Sequence, residues 1–376
     1  MKFIDLFAGI GGFRLGMESA GHECIGFCEI DKFARASYKA IHDTKGEIEL
    51  HDITTVTDDE IRNIGHVDVI CGGFPCQAFS IAGHRRGFED TRGTLFFEIA
   101  RFAAILKPKY LFLENVKGLL NHDKGNTFET ILSALDELGY DVEWQVLNSK
   151  DFGVPQNRER VFIIGHLRGQ RGRKVFPIGG NGATIDCEQP KINKVGNIRK
   201  KGKSQSGDVV SVDSLAPTLC STTTQKDPLK ILLAGNLPGS HEQNGRVYDP
   251  EGISPTLNTM QGGGRQPKIR VREATKKGYA EASVGDSVNL SHPNSKTRRG
   301  RVGEGIANTL VTGDSQGVVT PDFRIRKLTP RECWRLQGFP DWAFDKAQEV
   351  NSNSQLYKQA GNSVTVNVIK EIARYL

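Results

Sequence analysis

The sequence lacks long hydrophobic runs, and its few cysteines follow no regular spacing. No apolar stretch approaches the roughly 20 residues that a membrane-spanning helix requires, and Asp5 stands where a signal peptide would need its apolar core. The seven cysteines are scattered and odd in number, which does not indicate a disulfide framework, and no second pair or histidine cluster completes a zinc site. We therefore expect a cytoplasmic protein with no structural metal and no membrane partner.

The 376 residues suggest two domains, or one large domain that carries an inserted module. The positive charge is concentrated in one part of the chain. Residues 191–320 contain 19 Lys and Arg against 11 Asp and Glu, a net charge of +8 that leaves −2 for the remainder. A basic module on a near-neutral body favours a polyanionic partner such as nucleic acid. The alternative is a solvated basic surface without such a partner.

The stretch 67–80, VDVICGGFPCQAFS, combines the end of a buried strand with a stiff loop that carries a cysteine. The backbone can turn at Gly72 and Gly73, and Pro75 fixes its own φ, so Cys76 is held just past the strand's carboxyl end. Open α/β sheets bind their ligands at that edge. A lone cysteine is more often a small buried hydrophobe, but a core residue needs no such loop. We interpret Cys76 as a nucleophile.

The N-terminal segment has a strand, a glycine turn and a helix in succession, which is the opening of a nucleotide-type βα unit. Its glycines at 9, 11 and 12 do not follow the strict dinucleotide fingerprint, so the motif alone is a weak signal. Glu29 follows the second predicted strand, where an acid suits hydrogen bonds to ribose hydroxyls. The alternative, an acid at a helix N-terminus, fits Asp31 better.

Charged side chains also adjoin two later predicted strands. Glu114 directly follows the strand predicted at 109–113, and a carboxylate buried there needs a partner such as Asn115 or a substrate. Arg158 and Arg160 lie two positions apart on an extended segment and therefore point the same way. The alternative is that both arginines face solvent beside an edge strand.

In their order along the chain, these motifs resemble those of the DNA (cytosine-5)-methyltransferases. The resemblance covers about 1–166 and 322–376 and departs from the family at no catalytic position. The matching elements are Asp5 to Gly12, Pro75-Cys76-Gln77, Glu114-Asn115-Val116, Gln156-x-Arg158-x-Arg160 and the Asn362-Ser363 region.

The resemblance implies an α/β fold: a Rossmann-like S-adenosylmethionine-dependent methyltransferase domain with a predominantly parallel sheet, plus an inserted, smaller, β-rich target-recognition domain. We place the first domain at 1–180 and 322–376, with the C-terminal helix returning beside the N-terminal strand. The recognition domain is placed at 186–321.

The resemblance also assigns roles to individual residues. The catalytic residues are Cys76, Glu114, Arg158 and Arg160. Glu29 takes the ribose of the cofactor and Asp52 lies near the adenine. The other cofactor-bordering residues are Phe7, Ala8, Gly9, Gly11, Gly12, Ile53, Pro75, Leu95, Asn362, Ser363 and Val364. Residues 84–93 form the loop that closes over DNA, and the DNA contacts near the nucleophile are Gln77, Ser80, Arg85 and Arg86.

The segment 186–321 contains a threefold internal repeat. Its units begin at 195–197, 234–236 and 284–286, and each continues with a Gly-x-Val and then a Thr-Leu pair. Short β-branched pieces between glycine turns predict β-hairpins. We interpret the leucines of the Thr-Leu pairs, Leu219, Leu257 and Leu310, as scaffold. The connections at 222–225, 261–265 and 313–317 are candidates for DNA contact, in particular Gln225, Gln261 and Arg265, because Gln and Arg can read adenine and guanine edges.

A helix is predicted after 329, with Thr329 as its N-cap, Pro330 at the first position, Glu332 completing a capping box and Gly338 at its end.

The activity that the resemblance implies is sequence-specific methylation of cytosine C5 in duplex DNA. S-adenosylmethionine is consumed to give S-adenosylhomocysteine, the base is flipped out, and Cys76 adds to C6. We expect a monomer. The resemblance is compatible with a cognate restriction endonuclease that recognises the same DNA sequence and does not contact this protein directly.

Three other functions each agree with part of this sequence. An RNA cytosine-5 methyltransferase shares this chemistry, but the basic module of roughly 130 residues favours the reading of DNA sequence. A nicotinamide-dependent oxidoreductase gives the Pro-Cys-Gln and Glu-Asn-Val motifs no role. A catalytically inactive DNA-binding protein does not need Cys76, Glu114 and Arg160 intact.

Overall fold

The computed structural model describes residues 1–75, 95–170, 173–178, 268–291, 295, 297–313, 315–321 and 324–376, and the backbone alone of four short strands at 194–197, 208–210, 233–236 and 246–248. The chain forms two compact units. The first consists of Met1–Gly182, Ile306–Gln316 and Lys327–Leu376, and the second of Ala183–Gly305 and Gly317–Arg326. Within the described part of the chain, no helix is both long and apolar enough to cross a membrane.

The first unit is a sheet with helices on both faces. Its strands are β1 (Lys2–Leu6), β2 (Glu23–Cys28), β3 (Ile48–Leu50), β4 (Val69–Gly73), β5 (Tyr110–Val116), β6 (Tyr140–Asn148) and β7 (Glu159–Leu167). Its helices are α1 (Gly12–Ser19), α2 (Lys32–Ile41), α3 (Asp58–Asn63), α4 (Leu95–Leu106), α5 (Asn126–Glu137), α6 (Pro330–Leu336), α7 (Asp341–Val350), α8 (Asn353–Asn362) and α9 (Val366–Ala373). Two 3₁₀ segments run over Lys117–Gly125 and Ser149–Phe152.

The seven strands lie in the order β3-β2-β1-β4-β5-β7-β6. The first five are parallel, and β7 runs antiparallel to both β5 and β6. This confirms the predicted α/β class with a predominantly parallel sheet. The strand order reverses between β1 and β4, so the crevice at the carboxyl ends of these strands is where such a fold binds ligands.

The hydrophobic core has one layer on each face of the sheet. Alternation along β5 shows the two layers: Leu111 and Leu113 face the layer that includes side chains of α4 and α5, whereas Tyr110 and Phe112 face the layer of α1 and α9. Because both faces are covered, the central strands are largely apolar, although β1 contains the buried Asp5 and β5 ends with Glu114 and Asn115. A side chain at Gly16 of α1 would lie 2.6 Å from Ile369 of α9, so the absence of one allows this close approach.

Capping residues in the sequence indicated where two helices begin or end. The helix α6 has the predicted capping box between Thr329 and Glu332, Pro330 at its first position and Gly338 at φ +78° beyond its end, which confirms that prediction. Asp31 caps α2, because its carboxylate accepts from the backbone N–H groups of the helix's first turn. The preference for Asp31 as a helix-capping acid is therefore correct.

The second unit consists of short antiparallel strands. They are β8 (Lys194–Asn197), β9 (Asp208–Val210), β10 (Leu233–Asn236), β11 (Arg246–Tyr248), β12 (Ile269–Arg272), β13 (Tyr279–Ala282), β14 (Ser287–Asn289), β15 (Val302–Gly303), β16 (Gln316–Val319) and β17 (Ile325–Lys327). β8 pairs with β9 and β10 with β11, so the first two sequence repeats each form a hairpin. β12 pairs with β13, and the remaining strands form a sheet in the order β15-β14-β16-β17.

The third repeat differs from the first two. Its opening residues 284–286 form a tight turn, with Gly285 at φ +90° and the Asp286 carboxylate accepting from Ser283 N, and the strand starts only at Ser287. Gln316, which belongs to the candidate connection 313–317, is buried at the start of the strand β16.

The segment Ile306–Gln316 belongs to the first unit, although 186–321 was assigned to the inserted domain. Its backbone bonds to a loop of the first unit: Asn157 N donates to Ala307 O, and Ala307 N donates to Pro155 O, both at 2.8 Å. These pairings join residues about 150 positions apart, so no local pattern in the sequence could have indicated them.

Candidate active site

The loop after β1 is shaped by residues in left-handed conformations. Phe7, Gly9 and Gly11 have φ values of +56°, +57° and +85°. A side chain at Gly11 would meet His42 Nε2 at 2.1 Å, so this position requires glycine for space as well as for conformation. Gly9 N donates to Glu29 Oε2 at 2.8 Å, which ties the loop to the end of β2. The glycine loop and the acid predicted to act together are therefore in contact.

Glu29 is held in one orientation at the carboxyl end of β2. Besides Gly9 N, its carboxylate accepts from Asp31 N at 2.7 Å. Burial raises its pKa, and the two N–H donors counter that effect. Each oxygen retains a lone pair for a further donor. Asp31 in turn bonds Lys358 Nζ of α8 at 2.6 Å. Glu29 can therefore accept from a ligand's hydroxyl groups.

A cavity of about 440 Å³ opens at the carboxyl edge of the sheet. Residues at the ends of β1 to β5 and of α8 line it. The predicted site residues among its lining are Phe7, Gly9, Glu29, Asp52, Ile53, Pro75, Leu95, Glu114, Arg158, Arg160, Asn362 and Ser363. The structure thus brings segments from both ends of the chain, together with these predicted residues, around one space.

Four predicted cofactor-bordering residues do not line this cavity: Ala8, Gly11, Gly12 and Val364. Ala8 is buried in a cluster with Phe27 and Tyr38. Gly11 abuts His42, and a side chain at Gly12 would meet Val364 at 2.8 Å. These residues pack behind the loop and fix its shape, and their place beside the cofactor stays a prediction.

Glu114 and Arg160 form an ion pair inside the cavity. Arg160 Nε lies 2.9 Å from Glu114 Oε1, and both side chains are largely buried. The register of β5 with β7 places Glu114 opposite Phe162 and Arg160 opposite Val116, so the pair lies on one diagonal of the same sheet face. The strand β5 includes Glu114 and continues to Val116, three residues beyond the predicted end.

Burial raises the pKa of Glu114, and the positive charges of Arg160 and Arg158 only partly oppose this rise. A side chain at Gly73 would lie 3.2 Å from Glu114 Oε2, so glycine there leaves room for the carboxylate. A carboxyl group with a raised pKa, beside a fixed guanidinium in a cavity, is suited to exchange a proton with a bound substrate.

Asn115 joins β5 to the loop that precedes the predicted nucleophile. Its Nδ2 donates to the carbonyl of Phe74 at 2.9 Å, and its Oδ1 accepts from Val116 N at 2.8 Å. The prediction that Asn115 satisfies Glu114 receives no support, because both of these bonds go to the backbone. Asn115 instead fixes the position of the peptide next to Pro75.

Arg158 is buried, and its guanidinium bonds to backbone carbonyls. It donates to Leu310 O at 3.3 Å, to Gly361 O at 3.1 Å and to Ser363 O at 2.8 Å. Burial, followed by the like charge of Arg160, lowers its pKa to about 9. The alternative of a solvent-facing Arg158 is therefore excluded. Most of its N–H donors bond to two segments, one at Leu310 and one at 361–363. This placement favours a role in positioning those segments over the predicted catalytic role.

Several predicted residues lie outside the described part of the chain. These are the nucleophile Cys76 and the DNA-contact candidates Gln77, Ser80, Arg85, Arg86, Gln225, Gln261 and Arg265. Cys76 directly follows Pro75, the last described residue before this gap, and Pro75 lines the cavity.

Sequence reasoning missed several lining residues, among them Ile30, Lys358, Gln359 and Gly361. Lys358 and Asn362 are four positions apart and so share one face of a helix, and this spacing could have indicated that Lys358 lines the site with Asn362. Nothing in the sequence indicated that Lys358 pairs with Asp31, which lies 327 positions away.

Comparison with known proteins gives concordant matches. A family model described as C-5 cytosine-specific DNA methylase matches residues 1–376. The chain is 36% identical to the orphan methyltransferase M.SPRI of Bacillus phage SPR, over 100% of this chain and 97% of that protein. It is 36% identical to the type II methyltransferase M.HhaI of Haemophilus parahaemolyticus, over 99% and 93% of the two chains. The solved structure of the S. pombe Dnmt2 methyltransferase shares the fold, with a TM-score of 0.50 at 18% identity over 99% and 96% of the two chains.

Proposed function

Because the chain belongs to the C-5 cytosine-specific DNA methylases, which methylate cytosine in DNA, we propose that its methyl donor is S-adenosylmethionine and that Cys76 adds covalently to C6 of a cytosine flipped out of a duplex. The observation that carries this proposal is the single cavity lined by Glu29, by the Glu114–Arg160 pair and by Pro75, the neighbour of Cys76.

The lining of the cavity fits this donor. Ile30 is 67% exposed at the cavity, an unusual exposure for a large apolar side chain that a flat adenine ring would cover. Glu29 would hold the ribose hydroxyls through its remaining lone pairs, and Asp52 would accept from the adenine amino group. S-adenosylmethionine supplies, when bound, an electrophilic methyl group on a positively charged sulfur.

The chain's own residues must make C5 of cytosine nucleophilic. The Cys76 thiolate forms a bond to C6, which shifts an electron pair toward C5, while Glu114 gives a proton to N3 and so neutralises the developing charge. C5 then bonds the methyl group as the methyl–sulfur bond breaks, which leaves S-adenosylhomocysteine. A base removes the C5 proton, the electron pair of the C5–H bond forms the C5–C6 double bond, and the C6–sulfur bond breaks to return the Cys76 thiolate. N3 gives its proton back to Glu114.

Arg160 orients both Glu114 and the base. Its Nε is committed to Glu114 at 2.9 Å and its Nη1 donates to Glu159 O at 2.8 Å, so Nη2 would offer N–H donors to the carbonyl oxygen of the base. Such a fixed donor stabilises charge on that oxygen without reorganisation. Since C6 is inaccessible in a stacked duplex, the base has to leave the helix. Every described residue of this site comes from one copy of the chain, so we infer that a monomer suffices.

The experiment that tests this function offers methyl-labelled S-adenosylmethionine together with a mixed-sequence duplex DNA or an RNA of the same sequence. We expect label in 5-methylcytosine from the DNA only, with the methylated positions sharing one sequence context. Transfer to RNA alone would favour the RNA enzyme instead. A folded protein that binds the donor but transfers no label would be an inactive binder.

Replacing Glu29 with Gln is expected to weaken the binding of S-adenosylmethionine by roughly 10- to 100-fold, because a hydrogen bond to a charged group contributes about 1.5–3 kcal/mol. The amide would also turn an N–H toward Gly9 N or Asp31 N, which both donate to Glu29. Calorimetric titration with S-adenosylhomocysteine measures the change. Glu49→Gln serves as the control, since Glu49 pairs with Lys39 and does not line the cavity. Equal affinities of the two variants would remove Glu29 from the site.

A further inference from the structure

The second unit contains a basic surface whose residues do not line the cavity. It lies on the hairpin of β12 and β13 and on the turn between them. Arg272, Lys276, Lys277 and Arg299 are all exposed there, and Arg299 is anchored to the turn by a hydrogen bond from its Nε to Ala274 O at 2.8 Å. Within the described parts of the chain, none of these four side chains forms an ion pair.

The hairpin presents these cations on a rigid support. Its inner face is buried, because Val271 and Ala282 pack with Val288 and Val319. The turn closes with Glu273 N donating to Gly278 O at 3.0 Å, and Gly278 adopts φ +76°. The outward side chains of β12 are therefore fixed by the alternation of the strand.

The nearby acidic side chains do not neutralise this surface. Glu281 is paired with Lys268 at 2.8 Å. Glu273 is buried and accepts from Arg301 N at 2.7 Å. Four exposed cations thus remain around one turn, and a patch of one sign held on a rigid element fits a polyanion with closely spaced charges.

We propose that this surface, defined by Arg272, Lys276, Lys277 and Arg299, contacts the phosphates of duplex DNA during binding. The inference rests on duplex DNA being the substrate and adds a named element that holds its backbone. Lysine and arginine contacts to phosphates set the position of a protein on DNA but carry no sequence information. The surface therefore contributes affinity, whereas base recognition lies elsewhere.

The test is the double variant Lys276→Gln, Lys277→Gln, which removes two charges from the turn. Its matched control is Lys45→Gln, Lys107→Gln. Those lysines are also exposed, and they precede β3 and β5 at the amino edge of the sheet, opposite the cavity. The dissociation constant for a fluorescent mixed-sequence duplex is measured between about 50 and 200 mM salt, the range over which phosphate contacts change affinity most.

The slope of log Kd against log salt is expected to fall by about 2 in the turn variant and to stay unchanged in the control, since each phosphate contact contributes about 0.9. The weakening should be the same for duplexes of different sequence. The kcat at saturating DNA and the melting temperature should match the wild type within the small effect of losing the charge of Lys277 near Glu281, because neither lysine side chain forms a hydrogen bond or an ion pair within the described part of the chain.

An unchanged slope in the turn variant overturns the proposal while leaving the methylation of DNA intact. Weakening confined to one DNA sequence also overturns it, because that would indicate base recognition. If the wild-type protein binds no duplex DNA, then the proposal and the proposed function fail together, and the methyl-transfer assay identifies that case.

Discussion

Replacing Glu114 with Gln lowers kcat for methyl transfer by about 10²- to 10⁴-fold, the range associated with loss of a positioned acid. Gln can still bond to N3 and to Arg160, so the geometry persists, but it has no proton to give. The expected pattern is a large fall in kcat with little change in the affinity for S-adenosylmethionine. Glu129→Gln is the control, since Glu129 is exposed on α5 away from the cavity. Similar rates for the two variants would contradict the role of Glu114.

The pH dependence of the same pair of proteins adds a second readout. Burial raises the pKa of Glu114. Because the protonated form is the active one, the wild-type rate has a limb that falls as the pH rises through this elevated pKa. The Glu114→Gln variant has no group to titrate there, so this limb should be absent from its profile. A falling limb that persists in the variant would assign it to another group.

Replacing Arg158 with Leu is expected to lower the free energy of unfolding by about 3–5 kcal/mol, because three carbonyls lose their donor and each buried polar group left unsatisfied costs about 1–3 kcal/mol. The change leaves the carbonyls of Leu310, Gly361 and Ser363 without their donor. Leu also removes a charge that was costly to bury, which offsets part of the loss. Since a typical domain is stable by only about 5–15 kcal/mol, the effect is a large shift in the denaturation midpoint.

The comparison for this prediction is Arg168→Leu, in which an exposed arginine near the end of β7 loses its partners Asp136 and Asp141. Exposed ion pairs contribute about 0–1 kcal/mol, so this variant should unfold nearly as the wild type does. Urea denaturation measures both. If Arg158→Leu unfolded like Arg168→Leu while losing kcat, Arg158 would be a catalytic residue, as the sequence alone had indicated.

The features that the sequence predicted correctly depend on neighbours along the chain. The capping box at Thr329 and Glu332, the glycine loop and the acid at the end of β2 each follow from a few adjacent residues. Glu114 could be placed at a strand end for the same reason, although the strand extends further because β7 pairs with it through Val116.

The features that the sequence did not predict depend on contacts between distant segments. Leu310 was interpreted as scaffold of a repeat, yet its carbonyl accepts from Arg158, 152 positions earlier. Likewise, the side-chain amide of Asn115 in β5 donates to the carbonyl of Phe74, which follows the neighbouring strand β4. Nothing in either motif indicates that contact. Such contacts depend on the three-dimensional arrangement of the sheet and on the return of Ile306–Gln316 to the first unit. The periodicity of hydrophobic residues along the chain does not indicate either of them.

The most direct test of the proposed mechanism asks whether Cys76 forms a bond to the base. A mixed-sequence duplex in which 5-fluorocytosine replaces cytosine is incubated with the protein and S-adenosylmethionine, and denaturation-resistant complexes are measured. Fluorine cannot leave C5 as the proton does, so the bond to Cys76 persists. We expect such a complex with the wild type and with Cys71→Ala, which removes a buried thiol five positions earlier, and none with Cys76→Ser. A wild-type protein that methylates ordinary DNA but forms no complex, or a Cys76→Ser variant that forms one, would contradict the mechanism.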